Sequence, residues 1–332
     1  MALVVGLAGA GRIGAYHARV LASSPEVGRL VIADADVTRA ECAAAEVGGR
    51  HVESPEALSE AGIDALVIAA ATPAHAPLVR LAAAARLPVF CEKPIALDLE
   101  TTNAVLGEVV RAGVMLQVGF QRRFDPGYRA ARDVVRSGRV GDLYLLRVAG
   151  HDPSPPTDEY MPGSGGIWRD FVVHDFDAIP WVTGQEIVEV YADGRAYADL
   201  FARSGDIHHG AAVLRLAEGA LAVLTASRHD PLGYDVRMEL FGSADSVAVG
   251  LDARMPLRSL EPGVAPPRPA YRDFMERFES AYRAEMSAFL RAVRTGRPEG
   301  CTGVEARRGL LVAMAAERSV AEHRPVVVEE IA

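Results

Sequence analysis

The chain has 332 residues, enough for about two domains of ordinary size, and half of these residues are apolar while 24% are charged. This composition is typical of a globular protein, and 31 Gly with 20 Pro are too few for a collagen-like or low-complexity chain. The formal net charge of −9 and the lack of a long Lys/Arg cluster argue against nucleic-acid binding and against binding to an anionic membrane.

The first third of the chain alternates between apolar runs and helical patterns. The predicted strands are Leu3–Ala8, Leu30–Ala33, Ala65–Ala70, Val89–Cys91 and Val114–Val118. The predicted helices between them are Ile13–Ala22, Thr38–Val47, Ala74–Ala85 and Leu99–Arg111. This alternation predicts a parallel sheet with helices on both faces.

After about Asp125 the pattern changes to a helix, Ile167–Val182, followed by strands with no helix between them. These strands are Val188–Tyr197, Ala211–Leu216, Leu221–Ser227 and Val236–Phe241. They predict a mainly antiparallel sheet. A proline-rich loop, a long helix and a capping box that opens the last helix complete the chain, at Ala253–Pro269, Phe274–Val293 and Thr302–Glu305.

No segment has the length and apolarity of a membrane span. The most apolar stretch, Ala65–Val79, is too short and contains Pro73 and Pro77. The cysteines are odd in number and far apart, and no Cys/His spacing indicates a metal site. We therefore expect a cytoplasmic protein without disulfides; its cysteines are Cys42, Cys91 and Cys301.

The segment Gly9-Ala-Gly11-Arg-Ile-Gly14 has the G-x-G-x-x-G pattern of a dinucleotide-binding turn between a strand and a helix. Gly9 permits the tight turn, Gly11 lets a pyrophosphate approach the backbone, and Gly14 lets the helix pack closely on the strand. The helix N-terminus, which begins with Arg12 and Ile13, offers free N–H groups to the phosphates.

Asp34 lies twenty residues after Gly14, at the end of the next predicted strand. A carboxylate there accepts hydrogen bonds from the ribose hydroxyls and repels a 2′-phosphate, so the sequence predicts NAD as the cofactor in preference to NADP. Arg39 is the nearby cation that could reverse this preference. Thr72 and His75 follow the fourth strand, where side chains either line the cofactor crevice or cap the next helix.

Two further groups of residues could carry chemistry. Lys93, in Cys91-Glu-Lys-Pro94, ends the fifth predicted strand, although surface lysines are common. Asp170 and His174 share a helix face at i and i+4 within an apolar stretch. The pair could be a core histidine held by a carboxylate, or a histidine oriented as a general base.

Taken together, these motifs resemble the Gfo/Idh/MocA oxidoreductase family over essentially the full chain, and within it the inositol 2-dehydrogenases. The resemblance implies a Rossmann doubly wound parallel sheet in an N-terminal NAD-binding domain, residues 1–122. It also implies a C-terminal α+β domain with a mainly antiparallel open sheet, residues 123–332, for substrate binding and oligomerisation.

The resemblance also implies roles for individual residues. Lys93, Asp170 and His174 match the family's catalytic residues, and Glu92 and Lys93 are expected to contact the cofactor. Residues expected to line a polyol pocket together with the catalytic three are Arg123, His151, Asp152 and Tyr234. Tyr282 reaches the pocket or belongs to the core.

The implied activity is NAD-dependent oxidation of a secondary ring hydroxyl of a cyclic polyol, myo-inositol or a stereoisomer, to a ketone in inositol catabolism. The alternatives are a dehydrogenase of another sugar, an NAD-dependent glycosidase of the same fold, and a non-catalytic nucleotide sensor. A homo-oligomer, often a tetramer in this family, is expected. The chain departs from the branch at Gly150-His151-Asp152, where Ser-Arg-Asp is common, and this bears on which polyol is bound.

Overall fold

The computed structural model describes residues 2–332 and divides the chain into two compact units. The first unit comprises the residues up to Gln121 together with Tyr282–Arg307. The second comprises Arg122–Ala281 and Arg308–Ala332. Within residues 2–332, no helix has both the length and the apolarity that crossing a membrane requires.

Fourteen strands and eleven α-helices are assigned within the described residues. The strands are β1 Leu3–Ala8, β2 Val27–Ala33, β3 Arg50–His51, β4 Ala65–Ile68, β5 Val89–Glu92, β6 Leu116–Gly119, β7 Leu143–His151, β8 Ile187–Arg195, β9 His209–Leu216, β10 Leu221–Ser227, β11 Asp235–Gly242, β12 Ser246–Val249, β13 Cys301–Thr302 and β14 Val326–Val327. The helices are α1 Arg12–Ala22, α2 Val37–Val47, α3 Thr72–Ala84, α4 Leu99–Ala112, α5 Pro126–Arg136, α6 Met161–Ser164, α7 Val173–Thr183, α8 Asp199–Ser204, α9 Phe274–Arg277, α10 Glu279–Thr295 and α11 Gly303–Glu322.

The sheet of the first unit has the strand order β13-β6-β5-β4-β1-β2-β3. Strands β1 to β6 are parallel, and only β13 joins its neighbour antiparallel. The apolar runs are buried on both faces, as a parallel sheet covered by helices requires. The prediction of a doubly wound parallel sheet is confirmed. The order reverses at β1, which lies between β2 and β4, and the glycine turn follows this strand.

The sheet of the second unit has the order β12-β11-β7-β10-β9-β8-β14. Only β7 and β10 pair in parallel, so the prediction of a mainly antiparallel sheet is also confirmed. Its inner face packs on an aromatic helical segment, because a β-carbon at Gly150 would lie 3.2 Å from the ring of Phe171 and one at Gly210 would lie 3.0 Å from Trp168. The outer face exposes alternate apolar side chains, among them Tyr191 and Val223.

Several predicted elements differ from the observed ones. Strand β7 was not predicted, and helix α8 interrupts a series that we expected to contain strands alone. The helix predicted to begin at Ile167 starts instead with a π-helical segment, Ile167–Val172, which continues into α7. The long helix predicted from Phe274 is broken at Phe278. The capping box is confirmed, since the Thr302 amide donates to Glu305 and the Glu305 amide donates to the Thr302 hydroxyl.

Candidate functional site

The glycine turn after β1 meets two separate steric requirements. Gly9 has a φ of +102°, and a β-carbon there would lie 2.5 Å from the Ala69 backbone. A β-carbon at Gly14 would lie 2.0 Å from the Gly9 carbonyl oxygen. At Gly11 a β-carbon would meet no described atom within 4 Å. The fold itself therefore requires Gly9 and Gly14, whereas the space beside Gly11 is open.

Helix α1 begins directly at this turn, with Gly11 as an N-cap residue that has no side chain to satisfy the first amides. The N–H groups of Arg12, Ile13 and Gly14 have no acceptor within the helix, because first-turn amides never do. They form a cradle for an anion at the positive end of the helix dipole.

Asp34 is held rigidly beside the cradle. The residue is 7% exposed, its Oδ2 accepts a hydrogen bond from the Ala10 amide at 2.7 Å, and its Oδ1 accepts one from the Asp36 amide at 2.9 Å. Nη1 of Arg39 lies 3.7 Å from Oδ1, but the Arg39 side chain is more than half exposed, so the pair is weak. A carboxylate fixed here by two backbone amides fits the ribose of a dinucleotide.

His75 lies in the first turn of α3 and is almost completely buried. Its Nδ1 is 2.7 Å from the Pro94 carbonyl oxygen, and its Nε2 is 3.0 Å from that of Ala70. Burial lowers the pKa of His75, although both carbonyls favour the protonated ring. The ring therefore ties the end of β4 to the turn after β5. Thr72, the first residue of α3, is half-buried.

Glu92, the last residue of β5, is anchored by a histidine that the sequence analysis missed. His17 on α1 is fully buried, and its Nε2 lies 2.8 Å from Oε1 of Glu92. Its ring packs edge-on against Phe90 and Tyr282. A polar residue one turn after Gly14, on the buried face of α1, was the available signal. Tyr282 belongs to this aromatic core.

Lys93 is half-buried and stands between these two anchored neighbours. On one side, Glu92 is held by His17; on the other, the carbonyl of Pro94 is held by His75. The backbone that carries the amine is therefore fixed from both directions.

His174 is the one residue between Asp170 and Ile179 that is not buried. It lies in the first turn of α7, and Asp170 lies in the π-helical segment before it. Because a π-helix has a wider turn than an α-helix, the i and i+4 relation expected for a uniform α-helix does not hold through this stretch. A half-buried histidine on a core helix is a suitable residue for proton transfer.

Asp170 accepts hydrogen bonds through both of its carboxylate oxygens. Oδ1 accepts from the Tyr160 hydroxyl at 2.9 Å, and Oδ2 accepts from Nη1 of Arg228 at 3.0 Å. Arg228 was not predicted from the sequence. The same Nη1 lies 3.9 Å from Oδ2 of Asp152, so one buried cation serves two carboxylates. Burial alone would lower the pKa of Arg228, but Asp170 and Asp152 raise it.

Arg123 and Tyr234, both predicted to line the pocket, are buried inside the second unit. Arg123 binds Asp177 of α7 through two parallel hydrogen bonds, one from Nε at 2.9 Å and one from Nη2 at 2.6 Å. Tyr234 is 4% exposed, and burial raises the pKa of its hydroxyl. A second buried pair, Arg122 with Asp175, lies beside them.

His151 lies on the outer face of the second sheet, on the opposite side from Phe171 and Gly150. Its Nε2 is 3.2 Å from the Thr225 hydroxyl, and its ring lines an open cavity of about 850 Å³ with His209 and His229. Asp152, one residue later, directs its carboxylate toward Arg228. The structure thus separates His151 from Asp170, while it brings Asp152 and Asp170 to the same guanidinium.

The chain matches two family models. Residues 3–120 match the oxidoreductase family with an NAD-binding Rossmann fold, and residues 128–248 match the GFO/IDH/MocA C-terminal domain.

Similar proteins cover nearly the whole chain. Myo-inositol dehydrogenase Hyg17 from Streptomyces leeuwenhoekii is 40% identical over 96% of this chain and 97% of its own. A crystal structure of a myo-inositol dehydrogenase from Corynebacterium glutamicum has a TM-score of 0.90 and 33% identity, covering 98% of this chain and 99% of that one.

A scyllo-inositol dehydrogenase from Lactobacillus casei, solved with bound NAD(H) and scyllo-inositol, has a TM-score of 0.90 and 29% identity over 99% of this chain and 100% of its own. With the glycine cradle and Asp34 in place, the residues of the first unit fit a dinucleotide. The chain belongs to the Gfo/Idh/MocA oxidoreductase family, whose N-terminal domain is an NAD-binding Rossmann fold.

Proposed function

We propose that this protein is an NAD-dependent dehydrogenase that oxidises a secondary ring hydroxyl of a cyclic polyol, myo-inositol or a stereoisomer, to a ketone. The observation that carries the proposal is His174: a half-buried histidine on an otherwise buried helix, four residues after a carboxylate bound to a buried arginine. The relatives named for myo- and scyllo-inositol support the substrate class.

In this proposal the cofactor, when bound, accepts the hydride from the carbinol carbon. Gly11 and the first amides of α1 bind its pyrophosphate, and Asp34 binds its ribose hydroxyls. Because Asp34 would face a 2′-phosphate with a fixed negative charge, NAD is favoured over NADP.

His174 removes the proton of the hydroxyl as the carbon is oxidised, a contribution of about 10²–10⁴-fold in rate for a positioned general base. Lys93 donates a hydrogen bond to the same oxygen and stabilises the negative charge that develops on it. Asp170 orients the imidazole of His174. Hydrogen-bonding side chains suit a polyol, because a site built for hydroxyls rejects analogues that lack them.

The test is to replace Lys93 and His174 singly by alanine. Each variant should lose at least about a hundredfold in kcat with myo-inositol while NAD affinity, measured by calorimetry, is kept. His323, an exposed histidine near the C-terminus, provides the control variant His323→Ala, which should retain wild-type turnover. Wild-type turnover in either active-site variant would remove that residue from the mechanism.

We also propose that the chain forms a homotetramer through the outer face of the second sheet. Exposed apolar side chains recur there on neighbouring strands, at Tyr191, Val213 and Val223, and an apolar face of this kind favours burial by another subunit. Light scattering after size-exclusion chromatography should give four times the chain mass, and the charged substitution Val223→Lys should reduce it. A monomeric wild-type protein would refute the proposal.

A further inference from the structure

Helix α1, which begins at the glycine turn, also carries a contact to the end of β5. His17 lies six residues after Gly11 on this helix, and it is fully buried. Its Nε2 is 2.8 Å from Oε1 of Glu92, the last residue of β5. With its proton on Nε2, the ring donates a hydrogen bond to the carboxylate. One helix therefore connects the proposed pyrophosphate cradle to the residue directly before Lys93.

The carboxylate of Glu92 is confined on a second side by the neighbouring strand. Glu92 is opposite Gly119 of β6 in the register of the parallel sheet. A β-carbon at Gly119 would lie 2.9 Å from Oε2 of Glu92 and 3.1 Å from the ring of Phe90. The φ of Gly119 is not positive, so the glycine matters here for the space that it leaves and not for its backbone conformation. The position of the carboxylate thus depends on both His17 and Gly119.

The pair of His17 and Glu92 is costly for a contact that only holds α1 on the sheet. Nδ1 of His17 is buried, and it has no hydrogen-bond partner within residues 2–332. The ring centroid of His17 is 5.6 Å from that of Phe90, and the Glu92 side chain is 13% exposed. Buried polar groups with unmet hydrogen bonds cost free energy, and apolar side chains avoid that cost. A role in the reaction would explain why these polar residues are present.

Lys93 is the only lysine in a chain that has 35 Lys and Arg residues, so arginine supplies every other cationic side chain of this kind. The ammonium group of lysine is a compact charge on a flexible four-carbon stem, unlike the planar guanidinium of arginine. An amine that must meet one oxygen atom of a substrate therefore needs a well-placed backbone, because small displacements of a reacting group cost much of the rate. Glu92 is the residue directly before Lys93, and it anchors this backbone.

We propose that His17 is a positioning residue, which fixes Glu92 and thereby the turn that presents Lys93. It acts through the carboxylate and the backbone of β5. The inference rests on the proposed role of Lys93 in the dehydrogenase reaction. Because His17 lies on the helix whose first amides form the anion cradle, it also sets the position of this turn relative to the cradle.

The experiment compares His17→Leu, His17→Gln and Gly119→Ala with the wild-type protein. His17→Leu removes the hydrogen bond, and His17→Gln keeps an N–H donor on a side chain of similar reach. Gly119→Ala displaces the carboxylate while His17 is kept. Val20→Ala is the matched control, because Val20 is 6% exposed on the same helix and its truncation lowers stability without removing the His17–Glu92 hydrogen bond.

His17→Leu and Gly119→Ala should each lower kcat with myo-inositol about tenfold or more, while the Kd for NAD changes less than about threefold. His17→Gln should recover most of the lost kcat. Val20→Ala should keep the wild-type kcat although its melting temperature falls. Wild-type kcat in both His17→Leu and Gly119→Ala, or equal losses in His17→Gln and His17→Leu, would overturn the inference. So would an equal loss in Val20→Ala.

A double variant shows whether His17 acts through Glu92. Glu92→Ala alone should lower kcat, and adding His17→Leu to it should cost less than about threefold more, since the acceptor of the hydrogen bond is already gone. Fully additive losses of kcat would mean that His17 acts by another route and would contradict the proposal.

A spectroscopic readout does not depend on activity. Because Lys93 is the only lysine, reductive methylation with ¹³C-formaldehyde labels one side chain and keeps its charge. The α-amino group is labelled as well, and its lower pKa identifies its signal. The Lys93 signal should shift in His17→Leu, return in His17→Gln and stay in place in Val20→Ala.

An unshifted Lys93 signal in both His17→Leu and Gly119→Ala would contradict the inference. If the wild-type protein oxidises no inositol, the proposed function fails, but the Lys93 signal still decides whether His17 positions this turn.

Discussion

Gly11 differs from Gly9 and Gly14 because the protein leaves empty the space that its β-carbon would fill. We predict that Gly11→Ala keeps the thermal stability of the wild-type protein but weakens NAD binding about tenfold or more, which corresponds to about 1.4 kcal/mol. The added methyl would stand where the pyrophosphate approaches. Calorimetric titration with NAD and a thermal melt measure the two effects separately.

Gly14→Ala is the matched control, since its β-carbon would lie 2.0 Å from a backbone oxygen. It should lower the melting temperature even without cofactor. If Gly11→Ala binds NAD as tightly as the wild-type protein does, the cradle is not the pyrophosphate site.

The sequence predicts single residues well where a motif fixes both the residue type and its spacing. Gly9, Gly11, Gly14 and Asp34 could be predicted in this way; a β-carbon would clash at Gly9 and Gly14, and Asp34 accepts a hydrogen bond from the Ala10 amide. His17 and Arg228 could not be found, because their importance comes from partners 75 and 58 residues away in the chain. Local sequence patterns do not show contacts between residues that are so far apart in the chain.

At the scale of elements, His75 connects two strand ends that the sequence analysis treated separately. Both of its ring nitrogens face backbone carbonyls, so we expect it to position the turn that carries Lys93. We predict that His75→Leu lowers kcat about tenfold or more while the Kd for NAD changes less than about threefold. Single-turnover kinetics and NAD titration measure these quantities.

His51, an exposed residue on β3, provides the control variant His51→Leu, which should alter neither quantity. A large rise in the Kd for NAD with kcat unchanged would instead mean that His75 contacts the cofactor, which is one of the two roles that the sequence leaves open for it.

The strand pair β9 and β10 brings several histidines together and makes stability sensitive to acid. Burial lowers the pKa of His208, and His209 and His229 lower it further. Because the folded state binds a proton less readily than the unfolded state, stability is lost as the pH falls below the ordinary pKa of about 6.5. Burial also lowers the pKa values of His75 and His209.

We predict that His208→Phe loses less stability between pH 7.5 and pH 5.5 than the wild-type protein does. Both ring nitrogens of His208 are buried and have no hydrogen-bond partner among the described residues, and its ring stacks on Phe201 at 4.5 Å. An aromatic hydrocarbon keeps the stacking and removes the proton-binding group. Urea unfolding at the two pH values measures the free energy of unfolding of both proteins. If both lose the same amount of stability, His208 is not a cause of the sensitivity to acid.

Element boundaries were predicted best where the pattern was strong. Strand β1 and strand β10 have the expected bounds, because each is a mainly apolar run. Strand β7 was not predicted because Arg147 and Gly150 interrupt its apolar pattern. It is nevertheless an inner strand of the sheet, between β11 and β10. The π-helical segment before α7 could not be predicted, because the sequence was searched for the 3.6-residue period of an α-helix.

At the scale of the whole molecule, the alternating first part and the strand-rich second part were enough to predict two kinds of sheet. Periodicity could not show that Tyr282–Arg307 joins the first unit, where β13 extends the parallel sheet. It also could not show which face of the second sheet a residue occupies once β7 was missed. His151 and Asp152, both predicted to line the pocket, have different neighbours: His151 lies beside Thr225 and Asp152 beside Arg228.

Oxidation of a cyclic polyol with NAD⁺ is tested most directly by the reaction itself. The purified protein should be incubated with NAD⁺ and each inositol stereoisomer in turn, while NADH absorbance is followed and the product is identified by mass spectrometry. We predict that NADH forms with at least one inositol, in equal amount to a ketone that has lost two hydrogen atoms. Tight NAD⁺ binding without NADH formation from any inositol would contradict it.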